Sequence, residues 1–342
     1  MSLTKTIDEI LSLLETTNKN EHQLYEERED KVITTEKKNE TRETSSNYVL
    51  SNDYNFKHDF DFDTVRDFLL QQKQELEKEY QMKIIYMVER SSRVWGTSHP
   101  KSDFDVKAIM CYSPRQYYSP TKERMWEFKR VFGPRSKQSQ VGANLDLELT
   151  CIDILNLGSG IFKNDPNIFE IFHSPVIYWM DSKITPIRSI IDDVYNWRRL
   201  AAHYSSWAYS NLRQFTDNKK KRMREKPLKT TFAVLRGILC CEYLLTYETH
   251  ATIPLFLPFL IDHSKILDWF KIKDLAKEAL ADLKSGATDF TLRTLPLKEQ
   301  LEFMCKELDQ QLDSKKNCGP SAPTPKQKLL LDEIVFNLIE NN

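Results

Sequence analysis

The chain has 342 residues, with 49 Lys and Arg against 50 Asp and Glu, for a formal net charge of −1. That balance gives no global pull toward nucleic acid or an anionic membrane, so any basic surface must be local. No apolar run approaches the length of a membrane span and the opening segment MSLTKTIDEI lacks a signal-peptide core, so a cytoplasmic or nuclear protein with no membrane partner is expected. The 6 cysteines are scattered with no Cys-x-x-Cys pair, and the 8 glycines form no Walker or dinucleotide loop. A disulfide framework, a zinc site and those two nucleotide folds are therefore not expected.

Residues 1–58 read as a charged arm. A short amphipathic helix at 1–16 carries Ile7, Ile10, Leu11 and Leu14; the stretch after it, rich in Glu, Lys, Thr, Asn and Ser, is too polar to bury a core and reads as a largely disordered tail. Asp63 to Tyr80 has the apolar stripe of a helix, with Asp63 or Thr64 as its cap. Met82 to Glu89 and Asp103 to Tyr112 have the composition of strands. Tyr117 to Pro120 reads as a turn, Arg124 to Phe132 as a strand, and Gly133 to Gly142 as a polar loop. Asn144 to Thr150 alternates cleanly, with Leu145, Leu147 and Leu149 on one face and Asp146, Glu148 and Thr150 on the other.

Helices are expected at Cys151–Phe162 and Asn167–Phe172, then a short strand at Val176–Trp179. From Ile184 onward the pattern is helical: one or two helices over Ile187–Phe215, then Pro227–Tyr247, His263–Lys284, Leu297–Leu312 and Pro325–Ile339. Leu255 to Pro258 reads as a buried connector and Asn317 to Thr324 as a linker. The run Lys219–Lys226, with six positive residues in eight, reads as a solvated loop or import signal ahead of a grip on nucleic-acid backbone.

The chemistry gathers between the first two strands. A strand has period two, so Asp103 and Asp105 share a face, which is costly unless a cation lies between them. Hard oxygen donors of that kind suit Mg²⁺. The Ser92 hydroxyl and backbone N–H groups at the start of a short helix suit a phosphate. Arg93 and Lys107 flank the pair, as phosphate contacts or as ion-pair partners of the aspartates. Lys229 and Arg236 lie seven apart, on one face of an apolar helix, where they want an anion. The plainer reading pairs them with Glu242 or a loop carboxylate.

The run from Glu89 to Lys107, ERSSRVWGTSHPKSDFDVK, resembles the polymerase-beta nucleotidyltransferase superfamily. The resemblance is closest to its branch of RNA-ligase-associated RNA-repair nucleotidyltransferases, through Arg93, Trp95, Gly96, Pro100, Ser102, Asp103, Asp105 and Val106. Ser91 stands where that branch has Gly, and Val94 where it has Ala. Two further blocks, IDILNLGSGIFKNDPNIFEIFHSPVIY and KTTFAVLRGILCCEYL, are similar to the same family, so the likeness spans roughly Glu89 to Leu312.

The resemblance implies an α+β fold: a small mixed sheet with flanking helices at 59–182, an all-α domain at 183–315, and a linker and terminal helix at 316–342. It implies transfer of an NMP from an NTP to a hydroxyl, with two Mg²⁺ or Mn²⁺ ions on three carboxylates. The acceptor it implies is an RNA 3′ end, with a functional link to an RNA ligase. Asp103 and Asp105 supply two of the carboxylates; Glu148 and Asp146 both qualify as the third, and counting back through the second family-like block selects Glu148. Ser91, Ser92, Arg93, Lys229 and Arg236 are the expected nucleotide contacts. The alternative is a nucleotide- or RNA-binding protein of the same fold without turnover, for which Ser91 in place of Gly is the support.

Overall fold

The computed structural model describes residues 60–121, 125–133, 145–216, 227–248, 253–291, 295–315 and 324–340. The N-terminal arm, the Lys219–Lys226 run, and most of the Gly133–Gly142 loop and Asn317–Thr324 linker lie outside them.

Helix α1, Phe62–Tyr80, starts where the Asp61 side chain accepts the Thr64 N–H at 3.2 Å, so the cap falls two residues before Asp63. Strand β1, Met82–Arg90, leads into the one-turn helix α2, Ser92–Trp95, and then into β2, Phe104–Tyr112. The expected turn at Tyr117–Pro120 is preceded by another one-turn helix, α3, Pro114–Tyr117, opened by a Ser113–Gln116 capping box. Strands β3, Glu127–Phe132, and β4, Leu147–Asp153, precede α4, Ile154–Lys163, and α5, Pro166–His173, and β5, Ile177–Met180, completes the sheet. Its order is β3-β4-β2-β1-β5; the central β2–β4 pair is parallel and the other pairs are antiparallel.

The two faces of the sheet have different neighbours. Phe104, Val106, Ala108, Met110 and Tyr112 of β2 pack with Val65, Leu69 and Leu76 of α1. Ile109 and Cys111, on the opposite face, join a cluster with Ile154, Leu157 and Ile161 of α4. Asp105 and Lys107 share this second face but stand nearer the strand's start. There the register sets Asp105 beside Glu148 and Lys107 beside Thr150.

A 3-10 turn at Ser182–Ile184 leads to α6, Thr185–Val194, and α7, Trp197–Thr216. Helix α8, Pro227–Tyr247, follows. A Cβ on Gly237 would stand 2.8 Å from the Tyr204 carbonyl oxygen and 2.9 Å from the Ala208 Cβ, so glycine lets α7 and α8 approach closely. The chain ends in α9, Leu257–His263, α10, Lys265–Trp269, α11, Lys273–Lys284, α12, Leu295–Ser314, and α13, Pro325–Glu340. One apolar cluster runs from Ile85 and Ile109 of the sheet through α4 and α5 to α7, α8 and α12.

Three expectations need correction. The strand expected to stop at Thr150 continues through Cys151 and Ile152 to Asp153, whose carboxylate then caps α4 by accepting the Leu155 N–H at 2.7 Å. The single helix expected over His263–Lys284 is two helices, α10 and α11, after α9 has ended at His263. Glu242, reaching from α8, accepts the Lys265 and Ile266 N–H groups at 2.7 Å and so starts α10 afresh, while Lys271 at φ 56 ends it. The Leu255–Pro258 connector is shorter than expected, because α9 already begins at Leu257, with Pro in its first turn.

Candidate active site

Ser91, between β1 and α2, stands at φ 65 and ψ −139, a conformation at home for glycine and strained for serine. That turn aims the Ser91 hydroxyl at the Asp105 carboxylate, to which it donates. Helix α2 closes with the Trp95 N–H on the Ser91 carbonyl at 2.9 Å and the Thr97 N–H on the Ser92 carbonyl at 2.9 Å. Gly96, at φ 70, leaves no room for a Cβ, which would stand 2.4 Å from the Phe256 ring. The rest of the loop folds on itself. Ser102 donates its N–H to the His99 carbonyl at 2.8 Å and accepts the His99 N–H on its hydroxyl at 3.0 Å.

One pocket collects Ser91, Ser92, Trp95, Thr97, His99, Ser102 and Asp105 on its sheet side. Its opposite wall is Lys229, Phe232, Ala233 and Arg236 of α8, with Leu283 to close α11 and Gly286 to Thr288 after it. Lys229, Phe232, Ala233 and Arg236 follow the spacing of one helical face. Of the expected nucleotide contacts, Ser91, Ser92, Lys229 and Arg236 therefore meet in this pocket. Arg93 does not line it. Arg93 is buried, sits 3.9 Å from the Phe104 ring centroid, and donates to the Ser102 carbonyl at 2.6 Å, tying the loop shut.

Arg236 is 1% exposed. Its Nη2 donates to Glu170 Oε1 at 2.6 Å, and its guanidinium lies 3.9 Å from the Trp95 ring centroid. The partner is Glu170 of α5, not Glu242, which caps α10 instead. Glu170 also faces Arg90 at 3.6 Å and accepts the Tyr204 hydroxyl at 2.9 Å. Burial opposes its charge, but Arg236 and then Arg90 outweigh burial and hold its carboxyl below the usual range. The Arg236 Nε and Nη1 atoms are buried with no hydrogen-bond partner among the described residues. Two donors left open on a fixed, always charged fork suit an incoming anion.

Of the three expected carboxylates, Asp105 lines the sheet side of the same pocket, and Asp103 and Glu148 do not. Asp105 is raised above the usual carboxylate range, first by burial, then by the Asp103 charge, with Glu148 adding to it and Ser91 and Lys107 opposing it. Glu148 is the direct neighbour of Asp105 across β2 and β4, whereas Asp146 precedes β4 and its carbonyl accepts the Phe104 N–H at 2.8 Å. The Glu148 carboxylate is paired with Lys129 of β3. As the side chains stand, no group of three or more His, Cys, Asp or Glu among the described residues is gathered to hold a metal ion. The donor chemistry nonetheless fits a hard divalent cation, since mutual repulsion among Asp103, Asp105 and Glu148 is what such an ion relieves.

Beneath Asp105 lies Glu89, which sequence reading placed only at a strand end. It is fully buried, accepts the Asp105 N–H at 3.0 Å and the Tyr178 hydroxyl at 2.8 Å, and burial pushes its carboxyl up to about 8. Lys107 donates to the Thr150 hydroxyl at 2.8 Å and is held below the usual lysine range, first by burial and then by the Arg90 charge. Glu89, Glu170, Lys129 and the 283–288 wall carry no local signal; each acquires its place through a partner distant in sequence.

The chain matches the RNA repair pathway DNA polymerase beta family over residues 65–329 and belongs to that family. Among individual relatives it is 24% identical over 195 residues to the uncharacterized protein YcgL of Bacillus subtilis (strain 168), covering 54% of this chain and 64% of that protein's length. A crystal structure of a nucleotidyltransferase-like protein from Exiguobacterium sibiricum 255-15 matches 80% of each chain at 10% identity, with a TM-score of 0.27, too low to carry an argument. Among the described residues no helix is long and apolar enough to cross a membrane.

Proposed function

We propose that this chain is a metal-dependent nucleotidyltransferase that moves an NMP from an NTP to a hydroxyl acceptor, an RNA 3′ end, with release of pyrophosphate. One observation carries the reading: Asp105, Ser91 and Ser92 share a pocket with Lys229 and an Arg236 whose Nε and Nη1 have no hydrogen-bond partner among the described residues. An anion with a long phosphate chain satisfies the cations on one wall while its reacting phosphorus stands near the carboxylates on the other.

The residues divide the work by charge. Ser92 and the N–H groups of its turn take a terminal phosphate; Lys229 and Arg236 neutralise the chain from the helical side. Trp95, stacked on Arg236, and Glu170, paired with it, hold the guanidinium in place. Asp103, Asp105 and Glu148 would hold one or two Mg²⁺ or Mn²⁺ ions, which supply activation of the acceptor hydroxyl and stabilisation of the leaving pyrophosphate. The protein's own share is positioning and charge, with no covalent intermediate. Family membership in an RNA-repair group supports RNA as acceptor by analogy.

The deciding experiment supplies labelled NTPs, Mg²⁺ or Mn²⁺ and a panel of RNA, DNA and protein acceptors. Label is expected on RNA. The third carboxylate is tested alongside: Glu148→Gln should cost transfer far more than Asp146→Asn, and more in Mg²⁺ than in Mn²⁺, because Mg²⁺ is strict about octahedral geometry. The reverse order of losses moves the ligand to Asp146. NTP binding without transfer to any acceptor in the panel would favour the non-catalytic alternative.

A further inference from the structure

Beside the carboxylates, outside the nucleotide pocket, the sheet carries a row of cations. The register places Lys107 of β2 next to Thr150 of β4, and Thr150 next to Lys129 of β3. In the neighbouring row the same pairing sets Asp105 next to Glu148 and Glu148 next to Val131. All belong to one face of the sheet, since residues two apart on a strand point the same way. The two rows are one pleat repeat apart, about 7 Å. Lys107 and Lys129 are two strands apart, about 10 Å at the backbone, so their long stems can converge on one group above Thr150. β3 is the sheet edge and the Lys129 side chain is 54% exposed, so the row opens to solvent at its Lys129 end, while Thr150 is buried and Lys107 half-buried.

Both lysines serve the carboxylates as counter-charges, Lys107 toward Asp105, Glu148 and Glu127 and Lys129 toward Glu148, yet neither is committed to them by more than one direct contact. Lys107 bonds the Thr150 hydroxyl rather than a carboxylate, and Lys129 holds Glu148. A metal ion taking Glu148 would release Lys129, leaving its exposed ammonium free to take another anion. We propose that Lys107 and Lys129 form the acceptor's phosphate site: they hold the phosphodiester next to the acceptor's terminal hydroxyl, one step back from the reacting row. The inference rests on the nucleotidyltransferase reading above and names the acceptor class, a single-stranded nucleic acid. A neutral hydroxyl on a protein or small molecule has nothing to offer these lysines. Lys129 then has two roles in sequence, guarding Glu148 before the metal arrives and gripping the acceptor afterwards.

The test is fluorescence anisotropy of a dye-labelled single-stranded oligoribonucleotide with a free 3′ hydroxyl, with Mn²⁺ and a non-hydrolysable NTP analogue. Lys107→Met and Lys129→Met keep the apolar stems and should each weaken oligonucleotide binding by about tenfold. Each should also flatten the slope of log affinity against log salt by about 0.7, the value for one lost phosphate contact on a single strand. Lys129→Arg keeps the charge and should retain most of the affinity. NTP affinity, titrated separately, should fall less than oligonucleotide affinity in both Met variants. No oligonucleotide binding by the wild-type chain, equal affinity in the Met variants, or equal binding of a backbone made neutral by methylphosphonates each overturns the proposal. The two readings fail separately. Lysine-dependent binding with no nucleotide transfer would sink the enzyme and leave this site standing. Transfer to a free nucleoside with the same KM as to an oligonucleotide would do the opposite.

Discussion

The two walls of the pocket are built by opposite means. The sheet-side wall runs from Ser91 to Asp105, a span short enough for one loop and one strand start to place every group. The helix-side wall draws on α8 and on the end of α11, and its key charge is held from a third place, Glu170 of α5. The first wall is crowded with like charge, and Asp105 is raised in consequence. The second is a buried ion pair, and Glu170 is lowered in consequence. Asp105 and Asp103, two residues apart on one strand start, keep a conflict that a ligand can relieve, whereas Arg236 is brought by helix packing to a carboxylate of its own, Glu170.

The comparison predicts opposite outcomes for removing charge from the two walls. Asp105→Asn should lower transfer by on the order of 10³-fold, several kcal/mol of transition-state stabilisation. Its melting temperature should stay level or rise, because Asp103 and Glu148 lose a like-charged neighbour. A labelled-NTP assay and a thermal melt read both, and a variant that melts earlier would mean the carboxylates are not in conflict. Glu170→Gln, on the other wall, keeps the shape but strands Arg236, and should cost about 3–5 kcal/mol of stability. Added NTP should restore more of the melting temperature to this variant than it adds to wild type, since it brings Arg236 a new counter-charge; an equal increment in both would separate Arg236 from the phosphate.

Glu89 gives a smaller, pH-dependent effect. Folding pushes its carboxyl up to about 8, so between the ordinary carboxylate range and that value the folded chain holds a proton the unfolded chain has lost. Stability from this group therefore falls as pH rises through that window. Glu89→Gln imitates the neutral acid and should gain melting temperature relative to wild type between about pH 5 and about pH 8. Parallel curves for the two proteins would place the Glu89 carboxyl in its ordinary range. The smallest effect is expected at Ser91. A non-glycine residue in this conformation costs about 1–3 kcal/mol, and glycine gives back about 0.5–1 kcal/mol in chain entropy. The lost hydroxyl bond to Asp105 takes back about 1 kcal/mol more, so Ser91→Gly should stabilise by about 1 kcal/mol at most, and Asp105 should titrate higher for want of the serine hydroxyl. A loss of stability on denaturant unfolding would show that the hydroxyl's bond outweighs the strain.

Much of the sheet-side wall was legible because period two and short loops need no distant information. The alternation in Leu145 to Thr150 separated Leu147 and Leu149 from Glu148 and Thr150. The spacing of Lys229 and Arg236 likewise put them on one helix face, and both line the pocket. What that spacing did not reveal was the partner of Arg236, because Glu170 is 66 residues away on another element. The break between α9 and α10 did carry a local sign, Ser264, whose hydroxyl accepts the Leu267 N–H at 3.1 Å; what the spacing hid was Glu242 of α8, which takes the Lys265 and Ile266 N–H groups.

By itself, then, the sequence determined the strand faces, the serine turn with its aspartates, and the shared face of two cations. These follow from backbone periodicity and the geometry of neighbouring residues. Tertiary structure alone decided that Glu148 is the register partner of Asp105, that Lys129 guards Glu148, and that Arg236 is buried on Glu170 with two donors to spare. Strand order and helix packing bring those groups together, and no rule of local spacing encodes which strand lies beside which.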